Sequence, residues 1–224
     1  MWRGQLLHEL TVPAKKAAAK TAAKTAAKTA AKTAAKPAVT KQAAKKAPQS
    51  APYEQGAWAS VFAPRAKGER RYWLIKSEPD VFSFDDLMQA PQRTTCWDSI
   101  RNSGARNFLR DGMKVGDRCF YYHSNAEPSA IAGVCEVVRE GYPDHTAFDP
   151  SHEYYDEKSD PAMPTWFMVD VKAVAAFKTL VTLPQIKADP ALAEMALLRV
   201  SRLSVVPVTA DEWAHVCALG GVKV

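Results

Sequence analysis

The sequence predicts an α+β fold: a small β-barrel with short flanking helices, preceded by a disordered basic tail. Three observations predict it. Past residue 70 the chain holds about five short runs that alternate or are rich in β-branched residues, with brief helical patterns between them. Its 224 residues at 47% hydrophobic content can bury one sizeable core. Residues 17–36 are built only from Ala, Lys and Thr, so they carry nothing with which to pack.

In that tail, one AAAK and four TAAK units place Lys20, Lys24, Lys28, Lys32 and Lys36 four apart. A four-residue repeat advances about 40° per copy on a helix, so these lysines spiral and make no stripe. Residues 1–50 are therefore expected to be disordered alone and to bind phosphates non-specifically, in composition resembling linker-histone tails. Residues 51–70, with Pro48 just before them and Pro52, Pro64 and Gly56 inside, read as a linker. Its Tyr53, Trp58 and Phe62 are apolar for such a segment and are expected to dock on the domain, 71–224.

YWLIKS (72–77) reads as the first strand and ends at Glu78-Pro79. Ser83 caps a short helix with Asp85 and Asp86 in its first turn. Trp97 and Asp98 sit at a loop edge. Ile100, Ala105, Phe108 and Leu109 then recur at helical spacing around Arg101, Asn102 and Arg106, up to Gly112. Arg118 to His123 alternates as a strand, with Cys119, Tyr121 and His123 on one face and Phe120 and Tyr122 on the other, and a hairpin through 124–128 joins it to a strand over 129–140. A polar loop over 141–164 is too long to be a simple connection and, with its aromatics, reads as a pocket wall. Strands over 166–174 and 203–208 and a capping-box helix from Thr209 to Gly220 complete the domain.

The net charge of +6 divides unequally. Residues 1–70 carry +11, so 71–224 carry the difference, −5. Nucleic-acid affinity of the folded part must then come from a local patch or pocket. Cys96, Cys119, Cys135 and Cys217 form no C-x-x-C pair, and the opening MWRGQLLHELTV lacks the apolar run of an export signal. A reduced, cytoplasmic compartment is expected, with association to the nucleoid in a bacterium or a nuclear place in a eukaryote. No membrane, metal or cofactor is implied, and a monomer is expected.

WLIKSEP (73–79), CWDSIRNSGARNFLR (96–110), GDRCFYYHS (116–124), IAGVCEVVREGYPDHTAFD (131–149), TWFMVDV (165–171) and LLRVSRLSVVPVT (197–209) together resemble the EVE domain. That family is similar to the PUA-like and YTH barrels. The resemblance implies a PUA-like pseudo-β-barrel with a base-sized aromatic pocket and binding of modified nucleobases. The family's central block usually reads W-D-G-V-R-N-Y-Q-A-R-N; Ser99, Ser103 and Gly104 here replace its Gly, Tyr and Gln, which removes one stacking face.

The expected ligand-binding residues are Lys76, Ser77, Glu78, Trp97, Asp98, Tyr122, His123, Pro143 and Asp144. Trp97 would stack on an extruded base, Glu78 would accept from the N4 amine of a cytosine, and Tyr122 with His123 would form the opposite wall. Arg101, Arg106, Arg199 and Arg202 are expected at backbone phosphates, or else paired with acids. The expected function is a reader of a 5-methylcytosine-type base, with DNA favoured over RNA and no catalysis. The alternatives are an RNA-binding module without modification specificity and a hydrolase using the His- and Asp-rich 144–156 loop. No H-x-x-x-H, H-E-x-x-H or G-x-S-x-G pattern supports the last.

Overall fold

The computed structural model describes residues 58–200 and 202–223. The expectations for the 1–50 tail and its lysines, and for Tyr53, lie outside them. Six strands form one sheet: β1 (Tyr72–Ser77), β2 (Thr94–Trp97), β3 (Arg118–His123), β4 (Ala130–Pro143), β5 (Phe167–Thr182) and β6 (Val205–Val208), in the order β2-β5-β4-β3-β1-β6. Only β1 and β3 run parallel. Parallel neighbours need a crossover, and here it contains α1 (Phe84–Gln89), β2 and α2 (Ser103–Asn107). The shorter helices α3 (Leu183–Ala188) and α4 (Ala196–Arg199) and the C-terminal α5 (Ala210–Leu219) follow β5 and β6.

Alternation along the strands builds two cores. Trp73 and Ile75 of β1, Trp97 of β2, Cys119 and Tyr121 of β3, Cys135 and Val137 of β4, Val169 and Val171 of β5 and Val205 of β6 share one buried cluster. All six strands thus curve round a single interior, which makes the sheet a pseudo-barrel with β2 and β6 as its two edges. Register shifts along the β4–β5 pair, as between Val137 and Arg139, supply the bending that bulges allow. The opposite strand faces, with Leu74, Phe120, Tyr122, Ile131 and Val206, pack under α5. There Trp213 stacks on Phe120 at 4.1 Å and on Tyr72 at 4.7 Å.

Three features differ from the sequence expectation. β2 is a strand, where Trp97 was expected at a loop edge; four residues of TTCW on an edge are too few to show a period. β5 runs to Thr182 because its last turn hands directly to the Thr182 capping box. The helical pattern after Trp97 starts later, since Asn102 Oδ1 accepts the amides of Gly104 and Ala105 and so fixes the helix start behind Arg101. After Asn107 the helix widens into a π turn, Phe108–Gly112. As expected from their composition, Trp58 and Phe62 pack on the domain, each against Phe108 at 5.6 and 5.7 Å. Arg65 fastens that segment to buried Asp117, which also takes the Trp73 indole N–H at 2.8 Å.

Gly133 marks a close approach of strand and helix. A Cβ there would stand 2.5 Å from two Phe84 ring atoms and 2.7 Å from the Ala175 carbonyl oxygen, so α1 can seat on β4 only over a glycine. Gly133→Ala should therefore lower stability by at least 1 to about 3 kcal/mol, read as a drop in melting temperature. An unchanged melting temperature would mean that Phe84 is not seated on β4.

Candidate nucleic-acid interface

The parallel register of β1 and β3 sets Lys76 beside Tyr122 and Ser77 beside His123, so both strands deliver their ends to one rim. Lys76 is half-buried, and burial draws its ammonium pKa down. Glu78 is exposed and accepts from Asn125 Nδ2 at 2.6 Å. His123 Nε2 accepts the Phe84 amide at 3.0 Å, which requires that nitrogen to be unprotonated. Burial lowers the His123 pKa in the same sense, against the opposing pull of Asp85 and Asp86. Ser204 accepts the Lys76 amide at 2.9 Å, which brings the exposed Arg202 to this rim.

Beside the rim lies the turn after β2. Asp98 accepts from Ser99 Oγ at 2.8 Å, and Ser99 holds a left-handed φ of 64°. This is the place where the family pattern carries glycine, and the backbone explains why glycine suits it. The Ser99 amide donates to Asp144 Oδ2 at 2.8 Å.

Asp144 is fully buried and takes three further bonds: from Arg101 Nη1 at 2.7 Å, and from the Thr146 amide and hydroxyl at 2.9 and 2.7 Å. Burial alone would raise its pKa; the hydrogen bonds from Arg101 and Thr146 and the guanidinium charge outweigh it and hold the carboxyl below its ordinary value. Arg101 spends its other donors on Thr146 Oγ1 at 2.8 Å and on the Tyr154 carbonyl. Its guanidinium also lies 5.8 Å from the centre of the Tyr154 ring and 5.4 Å from that of Trp166, with Arg106 at 5.7 Å on Trp166. A Tyr-Arg-Trp-Arg ladder thus pins the long loop to the barrel. Trp166 Nε1 donates to Asp156 Oδ2 at 2.6 Å.

Several expected residues are placed differently from the sequence argument. Trp97 is 2% exposed and meets Tyr121 edge to face at 5.4 Å inside the barrel core, so it presents no open face. Tyr122 is buried on the opposite side of the sheet with Leu74 and Phe120, because successive side chains of a strand point to opposite faces; it cannot form a wall opposite Trp97. Arg101 is committed to Asp144, Arg106 to Asn107 and the ladder, and Arg199 to Glu194. Pro143 is the exposed end of β4, next to Asp144.

In the His- and Asp-rich loop, Asp149 caps Ser151 and His152 Nδ1 accepts the Tyr154 amide. Among the described residues no three His, Cys, Asp or Glu side chains converge as a metal cage. Two surface grooves, of about 410 and 660 Å³, lie elsewhere: one between Trp58 and β6, the other between β5 and α5.

Sequence reasoning missed Tyr154, Thr146 and Trp166. Tyr154 is 40% exposed, and besides burial and Glu153, the charges of Glu78 and Asp98 raise its hydroxyl pKa. It is therefore an accessible aromatic ring whose hydroxyl feels the charges of the rim, with the equally exposed Tyr155 beside it. The one available signal was a run of aromatics in a polar loop.

Replacing Asp144 with Asn removes the charge that Arg101 and two amides address. The expected loss is roughly 2–4 kcal/mol, less than for a fully enclosed pair because Arg101 keeps 19% of its side chain exposed. Since the folded-state pKa is depressed, the Asp144 contribution is complete above the ordinary aspartate value near 4 and disappears as pH falls through the lower folded value. Melting curves from about pH 7 to pH 3 should show a shallower acid slope in Asp144→Asn than in wild type. Parallel slopes would contradict the ion pair.

Residues 71–219 match the family model of the EVE domain. Thymocyte nuclear protein 1 of Homo sapiens is 41% identical over 165 residues, 66% of this chain and 73% of the relative. A solved hypothetical protein from Leishmania major superposes with a TM-score of 0.66 at 46% identity, covering 70% of this chain and 98% of its own. The human THYN1 protein, solved in complex with DNA containing 5-methylcytosine, superposes at 0.65 with 39% identity, covering 69% and 99%. No helix among the described residues is long and apolar enough to cross a membrane. This chain belongs to the EVE domain family.

Proposed function

We propose that this protein is a nucleic-acid-binding reader that holds a modified base of the 5-methylcytosine type at the rim formed by β1, the turn after β2 and the 144–166 loop. The carrying observation is that an exposed carboxylate, Glu78, lies near enough to an accessible aromatic ring, Tyr154, for its charge to be felt there, in a fold whose human relative was solved on 5-methylcytosine DNA. Glu78 would exchange its Asn125 partner for the N4 amine of cytosine, the pairing carboxylates make with that base. Tyr154 would stack on the ring. With Arg101 and Arg106 committed internally, the lysines of residues 15–46 supply the phosphate contacts. DNA is favoured over RNA, and in a eukaryote the nucleus is the matching compartment.

A methyl group in an apolar pocket is worth only about 1–3 kcal/mol, so the preference for modified over plain cytosine should be about tenfold to 200-fold. The test is a fluorescence titration of the full chain with duplexes carrying one 5-methylcytosine, cytosine or N6-methyladenine at matched salt. Tyr154→Ala should lose about 1–3 kcal/mol of binding to the preferred duplex with only a small drop in melting temperature, since the Tyr154 carbonyl keeps its bonds from Arg101 while one rung of the ladder is lost. Equal affinity for all three duplexes would leave only a tail that binds phosphates. Preference for N6-methyladenine would overturn the cytosine assignment.

A further inference from the structure

The most exposed large apolar side chain among the described residues is Met163, at 79%. It ends a tight turn, Asp160-Pro161-Ala162-Met163, all four residues of which are exposed. The turn is rigid. The Met163 amide bonds the Asp160 carbonyl at 2.9 Å across an isolated bridge, Asp160 Oδ1 takes the Ala162 amide at 2.8 Å, and Ser159 Oγ, at the foot, takes the Thr165 amide at 3.2 Å.

Met163 also lies close to the rim. Trp166, three residues on and so within about 11 Å along the chain, gives its carbonyl to the Asp144 amide at 2.9 Å and its ring to Arg101. Three of the loop's carboxylates accept from its own groups, Asp149 from Ser151, Asp156 from Trp166 and Asp160 from Ala162, while Glu153 and Glu157 stand exposed. An acidic loop avoids phosphates, and an apolar tip standing out from it suits the stacked bases of a groove.

We propose that Met163, at the tip of the 160–163 turn, is a wedge that enters the duplex base stack beside the extruded base and fills the gap it leaves. This rests on the reading of the rim as a modified-base site. Extruding a base from a duplex costs a few kcal/mol of unstacking, and an inserted methionine recovers part of it by burying its side chain. A single strand has no stack to refill, so the wedge should matter for duplexes alone.

The experiment compares wild type and Met163→Ala, full chain, on a duplex and on a single strand of the same sequence, each with and without one 5-methylcytosine. Because Met163 is solvent-exposed, the variant should melt as wild type does. The expected result is a roughly tenfold loss of duplex affinity with single-strand affinity unchanged. An unchanged duplex affinity overturns the wedge and leaves the rim reading standing; an equal loss on both forms overturns it too, making Met163 an ordinary contact. If wild type shows no preference for modified cytosine on either form, the rim reading fails, and the wedge with it.

Discussion

The carboxylate of Asp144 is the group on which the rim depends. It is fully buried, yet it accepts from one backbone amide of the β2 turn, one of its own loop, a threonine hydroxyl and a guanidinium. A buried charge without partners is costly enough to neutralise itself, whereas one with four donors stays ionised and draws those donors together. Two segments separated by more than forty residues, the 98–101 turn and the 144–146 turn, are held by the same two oxygen atoms. Arg101 extends that hold to the Tyr154 carbonyl and to two aromatic rings, so the loop that carries Tyr154 and Met163 is anchored even though it is long.

Rigidity and function are divided between the two ends of this arrangement. The barrel interior, with Trp73, Trp97, Tyr121 and Phe108 in mutual ring contact or shared burial, supplies the stiff platform. Asp117 does at the other end what Asp144 does at the rim, tying Arg65, the Arg71 amide and the Trp73 indole together so that residues 58–71 close over the core. What projects from the platform is polar, aromatic or, at Met163, an exposed thioether, and sits on strand ends and loops, where binding groups gather on a fixed scaffold.

Much of the fold was legible in the sequence because it is written in local rules. β1 shows as an apolar run stopped at Glu78-Pro79, β3 assigns its faces by a period of two, and Ser83 and Thr209 each mark a helix start with an acid three residues later. The alternation along β3 even gave the correct faces for Tyr121 and Tyr122. What alternation did not give was which face looks towards Trp97, because that is decided by how six strands close on each other. Trp97 has polar neighbours in sequence, Asp98 and Arg101, yet Arg101 turns to the loop while the indole turns inward. The Arg101–Asp144 bond joins residues 43 apart, and no local pattern announces it. Tyr154 had no role of its own in the sequence, only a place in the loop read as a pocket wall, for the same reason: its position is set by the Arg101 bonds across the fold.

The charge division fits this geometry. A folded part of net charge −5, with Arg101 and Arg106 engaged internally, attracts a polyanion weakly, and the ten lysines of residues 15–46 would add the missing positive charge. Affinity and selectivity would then reside in different segments of one chain. The most direct test of the rim as the selective part is a titration of the isotope-labelled full chain with an oligonucleotide carrying one 5-methylcytosine, followed by amide chemical shifts. The account predicts that the shifts specific to the modified base cluster at residues 76–78, 98–101 and 154–166. Shifts concentrated instead along the groove between Trp58 and β6, or confined to the lysine tail, would contradict it.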